Sequence, residues 1–231
     1  MAQGRGLRTG SNGMNGHRFI FGEDSGNATY DSIGSATGTL TNATRSGPGR
    51  YGIGHSVQLQ PSPASHIDFS QPVGQFGTTD FTVTLWLRTT EQQHYFDIVG
   101  NRTSPSHGNF FSMRMTGNYP GQPSGRISIE VDQDGNGTNY AHVESSIVNL
   151  NDGRWHHVVA VRAGPSLALY VDGVLAGENV GKGVANINNG NPFRLGASLA
   201  GGVSPGAVYG DLGIFDRQVD IQEVLHLYCF H

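Results

Sequence analysis

The sequence predicts an all-β domain, a two-sheet antiparallel sandwich, and three observations carry that prediction. First, residues 154–162 and 166–172 are two strand-like runs joined by a short Ala-Gly-Pro-Ser connection, and the second run ends in Asp172-Gly173. Asp-Gly supplies the positive φ of a two-residue hairpin loop, so these strands lie in an antiparallel sheet. Second, Val83, Leu85 and Leu87 alternate with Thr82, Thr84, Trp86 and Arg88, and Ile127, Ile129 and Val131 alternate with Ser128, Glu130 and Asp132. That period of two marks strands with one apolar face. Third, 35 of 231 residues are glycine without a fixed period. This is roughly twice average usage and suits many tight turns between short strands.

Taken in order, strands are predicted over 18–21, 55–60, 65–70, 81–89, 95–100, 109–116, 125–132, 139–147, 154–162, 166–172, 192–197 and 208–215. One short helix is predicted over 219–227, with Asp216 and Asp220 near its start and Ile221, Val224, Leu225 and Tyr228 at helical spacing. The predicted core includes Phe81, Val83, Leu85, Trp155, Val159, Leu169 and Val171. Residues 1–16 carry five glycines and, after Met1, only Leu7 and Met14 as aliphatic-type side chains. Without an apolar h-region they read as a flexible leader and not as a secretory signal. Residues 17–231 show neither a repeat nor a dividing linker and read as a single domain.

Composition narrows the function. A net charge of −4 with scattered basic residues argues against nucleic acid as a partner. No apolar run approaches the ~18 residues of a membrane span. Cys229 is the only cysteine, so no intramolecular disulfide forms. The sequons at Asn27, Asn42, Asn101 and Asn136 follow largely from a chain rich in Asn, Gly and Thr. No glycine-rich stretch has the strand–loop–Lys-Thr context of a phosphate cradle.

The run Asp152-Gly153-Arg154-Trp155-His156-His157-Val158-Val159-Ala160-Val161-Arg162, closed by Leu167-Ala168-Leu169-Tyr170-Val171-Asp172-Gly173-Val174, resembles the central hairpin of laminin-G-like, concanavalin A-like jelly rolls. Ordered matches extend the resemblance over about residues 18 to 228. They are Phe21 to Gly26, Asp31-Ser32-Ile33-Gly34, Gly38 to Asn42, Gly49 to Gly52, Val57 to Leu59, Asp80 to Arg88, Gly210 to Arg217 and Ile221 to Val224. The resemblance implies a concanavalin A-like jelly roll and an extracellular or cell-surface setting. It also opens a choice among lectins, glycan-active enzymes and adhesion modules, which one fold can host. A pentraxin-type site is excluded, because Leu195 to Gly202 contains no carboxylate.

Glu130, Asp132 and Asp134 lie at alternate positions, so all three side chains share one sheet face, as in the laminarinase-type glycosidases of the superfamily. Those enzymes place glutamate at both ends of the motif, and here Asp134 takes the second place. A solvent-facing strand edge entering a turn explains the same residues. Calcium has two candidate sites. Asp132, Asp134 and Asn136, followed by Gly137, match the front half of a calcium loop, although Val143 stands where the bidentate Glu belongs and Asn136-Gly137 is also a hairpin turn. By resemblance, Asp31 and Asp211, with Glu23 or Asp24 as extras, would hold a structural calcium between the opening loop and the closing strand; Asx-type turn capping is the competing role.

A sugar site needs flat apolar faces and fixed polar donors. Tyr95, Asn101, Arg102, His107, Tyr119 and Tyr140 supply both on predicted loops, with His94, Phe96 and Tyr209 in the same set. Covering the sandwich ends is the alternative role of such rings. Of His156 and His157, one should face the core and one the surface. With no Ser-His-Asp order or Cys-His pairing, the expected function is non-catalytic, calcium-containing carbohydrate binding, with a glycan or glycoconjugate as partner. A glycoside hydrolase, a polysaccharide lyase or a protein-binding adhesion module is the alternative.

Overall fold

The computed structural model describes residues 15–52, 54–61, 64–92, 95–118 and 120–230. The chain runs through β1 (Gly16–Phe19), β2 (Ala28–Tyr30), β3 (Thr37–Thr41), β4 (Ala43–Ser46), β5 (Ser56–Leu59), β6 (His66–Phe69), β7 (Phe81–Thr89) and β8 (Tyr95–Gly100). It continues through β9 (Gly108–Thr116), β10 (Arg126–Asp134), β11 (Ala141–Glu144), β12 (His156–Ala163), β13 (Ser166–Val171), β14 (Val174–Val180), β15 (Phe193–Gly196), β16 (Ala207–Phe215) and α1 (Ile221–Phe230). Two eight-stranded sheets result. Sheet A has the order β14-β13-β12-β7-β16-β5-β4, with β1 also on β16; sheet B has the order β11-β10-β9-β8-β15-β6-β3-β2.

The predicted hairpin closes as its residues dictate. Asp172 and Gly173 both have positive φ, 51° and 80°, and Val171 pairs directly with Val174 across the turn. Val158 faces Leu85 in the neighbouring strand, so the apolar rows of β12 and β7 align on one side. That side meets Ile127, Ile129, Val131, Met113 and Phe111 from sheet B, all buried in one core. Burying such side chains at about 1.5–3 kcal/mol each is what holds the sheets together.

The predicted core is right at Phe81, Val83, Leu85, Leu169 and Val171, which are fully buried between the sheets. Trp155 is instead only half-buried, with Arg88 5.0 Å from its ring centroid. Val159 is buried on the opposite face of sheet A, in a second cluster with Val161, Phe215, Val219, Val224 and Leu227. That cluster exists because α1 lies on this face. It also buries Thr82, Thr84 and Trp86, so β7 is covered on both sides and not half-exposed. Strands β2, β3 and β4 lie outside the predicted strand ranges, and β14 was implied only by the hairpin turn at Asp172-Gly173 that precedes it. The first three are short and threonine-rich, and β14 is an edge with exposed Val174, Leu175 and Val180. The predicted leader falls largely on residues 1–14, outside the described residues, and Gly16 already belongs to β1.

Candidate functional site

Register decides what the outer face of sheet B displays. Ile127, Ile129 and Val131 point inward, so Ser128, Glu130 and Asp132 point out. Arg114 lies opposite Ser128 on one side and Asp97 on the other, and Ser112 lies opposite Glu130. The cross-strand neighbours therefore gather Asp97, Arg114 and Glu130 on one outward surface. The loop over 101–107 folds onto it. Arg102 donates to the Ser104 carbonyl at 2.7 Å, to the Pro105 carbonyl at 2.6 Å and to Glu130 Oε1 at 3.1 Å. Glu130 Oε2 accepts from the Tyr140 hydroxyl at 3.1 Å.

At the far end of this surface His107 Nδ1 lies 2.6 Å from Asp132 Oδ2, and the His107 ring meets Tyr140 edge-on at 5.1 Å. Gly137 makes this possible. Its φ is +71°, and a Cβ there would come within 2.7 Å of the imidazole. Behind Arg114, Tyr95 lays its half-exposed ring 5.2 Å from the guanidinium.

Arg114 is the loosely held member of the group. Its Nε sits 3.5 Å from Asp97 and its Nη1 3.7 Å from Glu130, so it is paired in charge with both and within hydrogen-bond geometry of neither. Burial pushes the Asp97 carboxyl up, against the pull of Arg114, Ser198 and Arg102. Burial and the neighbouring Glu130 likewise push the Tyr140 phenol far up, so it remains a donor. An open cleft of about 190 Å³ stands over these groups, lined by Asp97, Arg102, Arg114, Ser198 and the backbone of Gly201 and Gly202.

The structure thus brings together four members of the predicted sugar set: Arg102, His107, Tyr140 and, through Arg114, Tyr95. Three others turn inward. Asn101 is fully buried, donating to the Gly74 carbonyl at 3.3 Å and accepting from Phe111 N at 2.9 Å. Phe96 and Tyr209 are fully buried core residues. His94 and Tyr119 lie outside the described residues. Asp97 and Arg114 were missed, although their even spacing from Tyr95 and Ser112 put them on the outward parity.

The carboxylate trio is not a solvent-facing edge. Glu130 and Asp132 are buried and engaged; besides His107, Asp132 accepts from Gly108 N at 3.3 Å and Gln133 N at 2.8 Å. Asp134 closes the following turn, accepting from Asn136 N at 2.9 Å and Thr138 N at 3.1 Å. Those amides hold its carboxyl below the usual range.

Asp132, Asp134 and Asn136 therefore form a hydrogen-bonded turn. Asp31 and Asp211 do come near each other, but around Arg18. Both Asp211 oxygens accept from its guanidinium, at 2.7 and 2.6 Å, while Asp31 accepts from Arg18 N at 2.9 Å and Ile33 N at 3.0 Å and meets His17 Nδ1 at 2.6 Å. Burial works to raise the Asp31 carboxyl, and these hydrogen bonds outweigh it and hold it low. Glu23 accepts from Thr29, Tyr30 N and Arg45, and Asp24 is exposed. Calcium needs six to eight converging oxygens. Among the described residues no group of three His, Cys, Asp or Glu side chains is placed to hold a metal.

The sequence profile of the concanavalin A-like lectin/glucanases superfamily, laminin-G type, matches residues 62–225. The chain belongs to this family. No curated protein matches it. Among solved structures, the binding domain of Paraclostridial Mosquitocidal Protein 1 aligns with a TM-score of 0.70 at 14% identity, covering 92% of this chain and 51% of the other. The botulinum neurotoxin type G receptor-binding domain gives 0.65 at 18% identity, over 93% and 51%. The botulinum neurotoxin serotype D ligand-binding domain, in complex with N-acetylneuraminic acid, gives 0.67 at 14% identity, over 94% and 51%. This chain therefore spans about half the length of those domains, and at these identities the likeness is one of fold. No helix among the described residues is long and apolar enough to cross a membrane.

Proposed function

We propose that the protein is a non-catalytic carbohydrate-binding module and that the outer face of sheet B is its binding surface. Arg114 carries this reading. A guanidinium in ion-pair contact with Asp97 through Nε at 3.5 Å and with Glu130 through Nη1 at 3.7 Å, hydrogen-bonded to neither and lining a polar cleft, is a cation whose terminal N–H groups can serve a partner. Asp97 supplies an acceptor, Arg102 a second fixed cation, and the Tyr95 ring a flat face for sugar C–H groups. The cleft is smaller than the roughly 300–1,000 Å³ of drug-sized sites, which suits one small polar unit of a longer chain. The toxin binding domains of the same fold, one of them in complex with N-acetylneuraminic acid, are consistent with a glycan partner.

Catalysis is not part of the proposal. A glycosidase needs one carboxyl free to donate a proton and another free to attack or to activate water. Here Glu130 is held by Arg102 and Tyr140, and Asp132 by His107 and backbone amides. We also propose that binding needs no calcium, the Arg18 guanidinium standing where family resemblance places a cation.

A glycan array read with wild-type protein and Arg114→Ala tests this. Wild type should bind a defined glycan set, and the variant should lose about tenfold or more of that affinity, the worth of a charge-assisted hydrogen bond. No reducing ends should appear from the bound glycans. Equal binding by Arg114→Ala, absence of any bound glycan, or release of sugar from wild type but not from Glu130→Gln would each overturn the reading.

A further inference from the structure

A second cleft, of about 480 Å³, opens on the outer side of sheet A beside the end of α1, and it shares no lining residue with the first. Its wall includes Tyr51, whose backbone is in the left-handed region at φ 57°, ψ 19°. For a bulky side chain that conformation is rare and strained. The strain is not repaid by burial, since Tyr51 is 76% exposed. What it secures is position: the ring stands 4.0 Å from the Arg50 guanidinium, and its hydroxyl accepts from Arg50.

Arg50 is the other half of the device. The Trp86 ring lies 4.0 Å and the Tyr228 ring 4.8 Å from its guanidinium, and it also donates to the Tyr228 carbonyl. With its flat faces covered by rings and one N–H of each terminal nitrogen given to Tyr228 and Tyr51, the guanidinium keeps Nε–H and one N–H on each terminal nitrogen for a carboxylate. Among the described residues no carboxylate pairs with it. Asp211, on the same wall, is already neutralised by Arg18. Trp86 is 3% exposed, and its indole N–H has no partner among the described residues. Opposite stand Ile20 and a 75% exposed Phe230, apolar faces left open to solvent.

We propose that this cleft is a binding site for a carboxylate-bearing sugar residue. The carboxylate meets the rim of Arg50, and the ring C–H face lies on Tyr51. The ligand's acid group is what the cleft selects, so a uronate within a polymer and a terminal sialic acid share the required chemistry. The site does not depend on the sheet B reading, and its test reports from its own residues.

The chain has two tryptophans. Trp155→Phe leaves Trp86 as the sole indole, at the wall of the cleft. Glucuronate, N-acetylneuraminate, methyl glucoside and inorganic phosphate would each be titrated against its fluorescence. At least one of the two acids should change the emission saturably, and which one identifies the source; methyl glucoside and phosphate should bind at least tenfold more weakly. Arg50→Gln should weaken the acid about tenfold or more. Tyr51→Gly should weaken it severalfold without lowering the melting temperature, because glycine adopts the left-handed conformation at no steric cost. The proposal falls if neither acid moves the signal. It falls equally if phosphate or the neutral sugar binds as well as the acids, or if Tyr51→Gly, still folded, binds like wild type.

Discussion

Side chains whose partners come from distant strands are where sequence reading stops. Alternation correctly separates His156 from His157, yet the outward-facing His157 proves the more buried, 2.7 Å from Thr84 beneath α1. His156 sits between Asp172 at 2.8 Å and Asp152 at 3.1 Å. The Asp172 hydrogen bond raises its pKa, burial opposes this, and Asp152 adds to the rise. A histidine with a raised folded pKa favours the folded state fully below its ordinary value near 6.5, and that contribution is lost as pH climbs through the folded value. The melting temperature should therefore drop as pH climbs above about 6.5, by about 2–4 °C for each kcal/mol lost. Asp172→Asn should flatten that part of the profile. Asparagine tolerates the φ of 51° at this position, so the exchange removes charge and keeps the turn. An unchanged slope in the variant would show that His156 is not the titrating group. Arg162 makes the same point about legibility. It reads as an ordinary strand arginine, but it is buried with its donors on the carbonyls of Gly77, Thr79 and Ala185, and burial brings its pKa down to about 10.

Helix α1 was legible in kind and displaced in position, running over Ile221–Phe230 and not 219–227. Its start is fixed by a capping box: Asp220 Oδ1 accepts from Glu223 N at 2.9 Å, and Glu223 reaches back to Asp220 N at 3.2 Å. Val219, read as the first helical residue, instead donates its N–H to Thr82 Oγ1 at 3.2 Å and belongs to the cluster under the helix. The spacing of Ile221, Val224, Leu225 and Tyr228 announced an apolar stripe, of which Val224 is buried, with Leu227 beside it, while Ile221 and Leu225 are exposed. It could not announce that the stripe covers a row of threonines and a tryptophan on β7, because their polarity reads as a solvent face. Asp220→Ala should lower stability by about 1 kcal/mol in denaturant unfolding, and Asp220→Gly by only a few tenths. Equal losses in the two variants would mean that the aspartate acts through something other than the cap.

Across the whole molecule the sandwich was readable because its longest strands alternate cleanly and its tightest hairpin carries Asp-Gly. The ends of the chain were not readable in this way, since their order comes from contacts between residues nearly two hundred positions apart. Arg18 on β1 reaches Asp211 on β16, and its backbone reaches Asp31, so one guanidinium and one amide tie the opening loop to the closing strand. Family resemblance gave Asp31 and Asp211 to calcium. Their hydrogen bonds give them to the protein's own cation and amides. A ligand that binds only the folded state raises the melting temperature by mass action, and its removal lowers it. Chelator should then leave the melting temperature where it is, and added calcium should not raise it. Arg18→Met should lower it, because the two bonds at 2.7 and 2.6 Å are charge-assisted and only partly exposed. Their loss at about 2 kcal/mol corresponds to about 4–8 °C for a chain of this length. A fall under chelator that calcium restores, with Arg18→Met melting like wild type, would return the site to a metal ion.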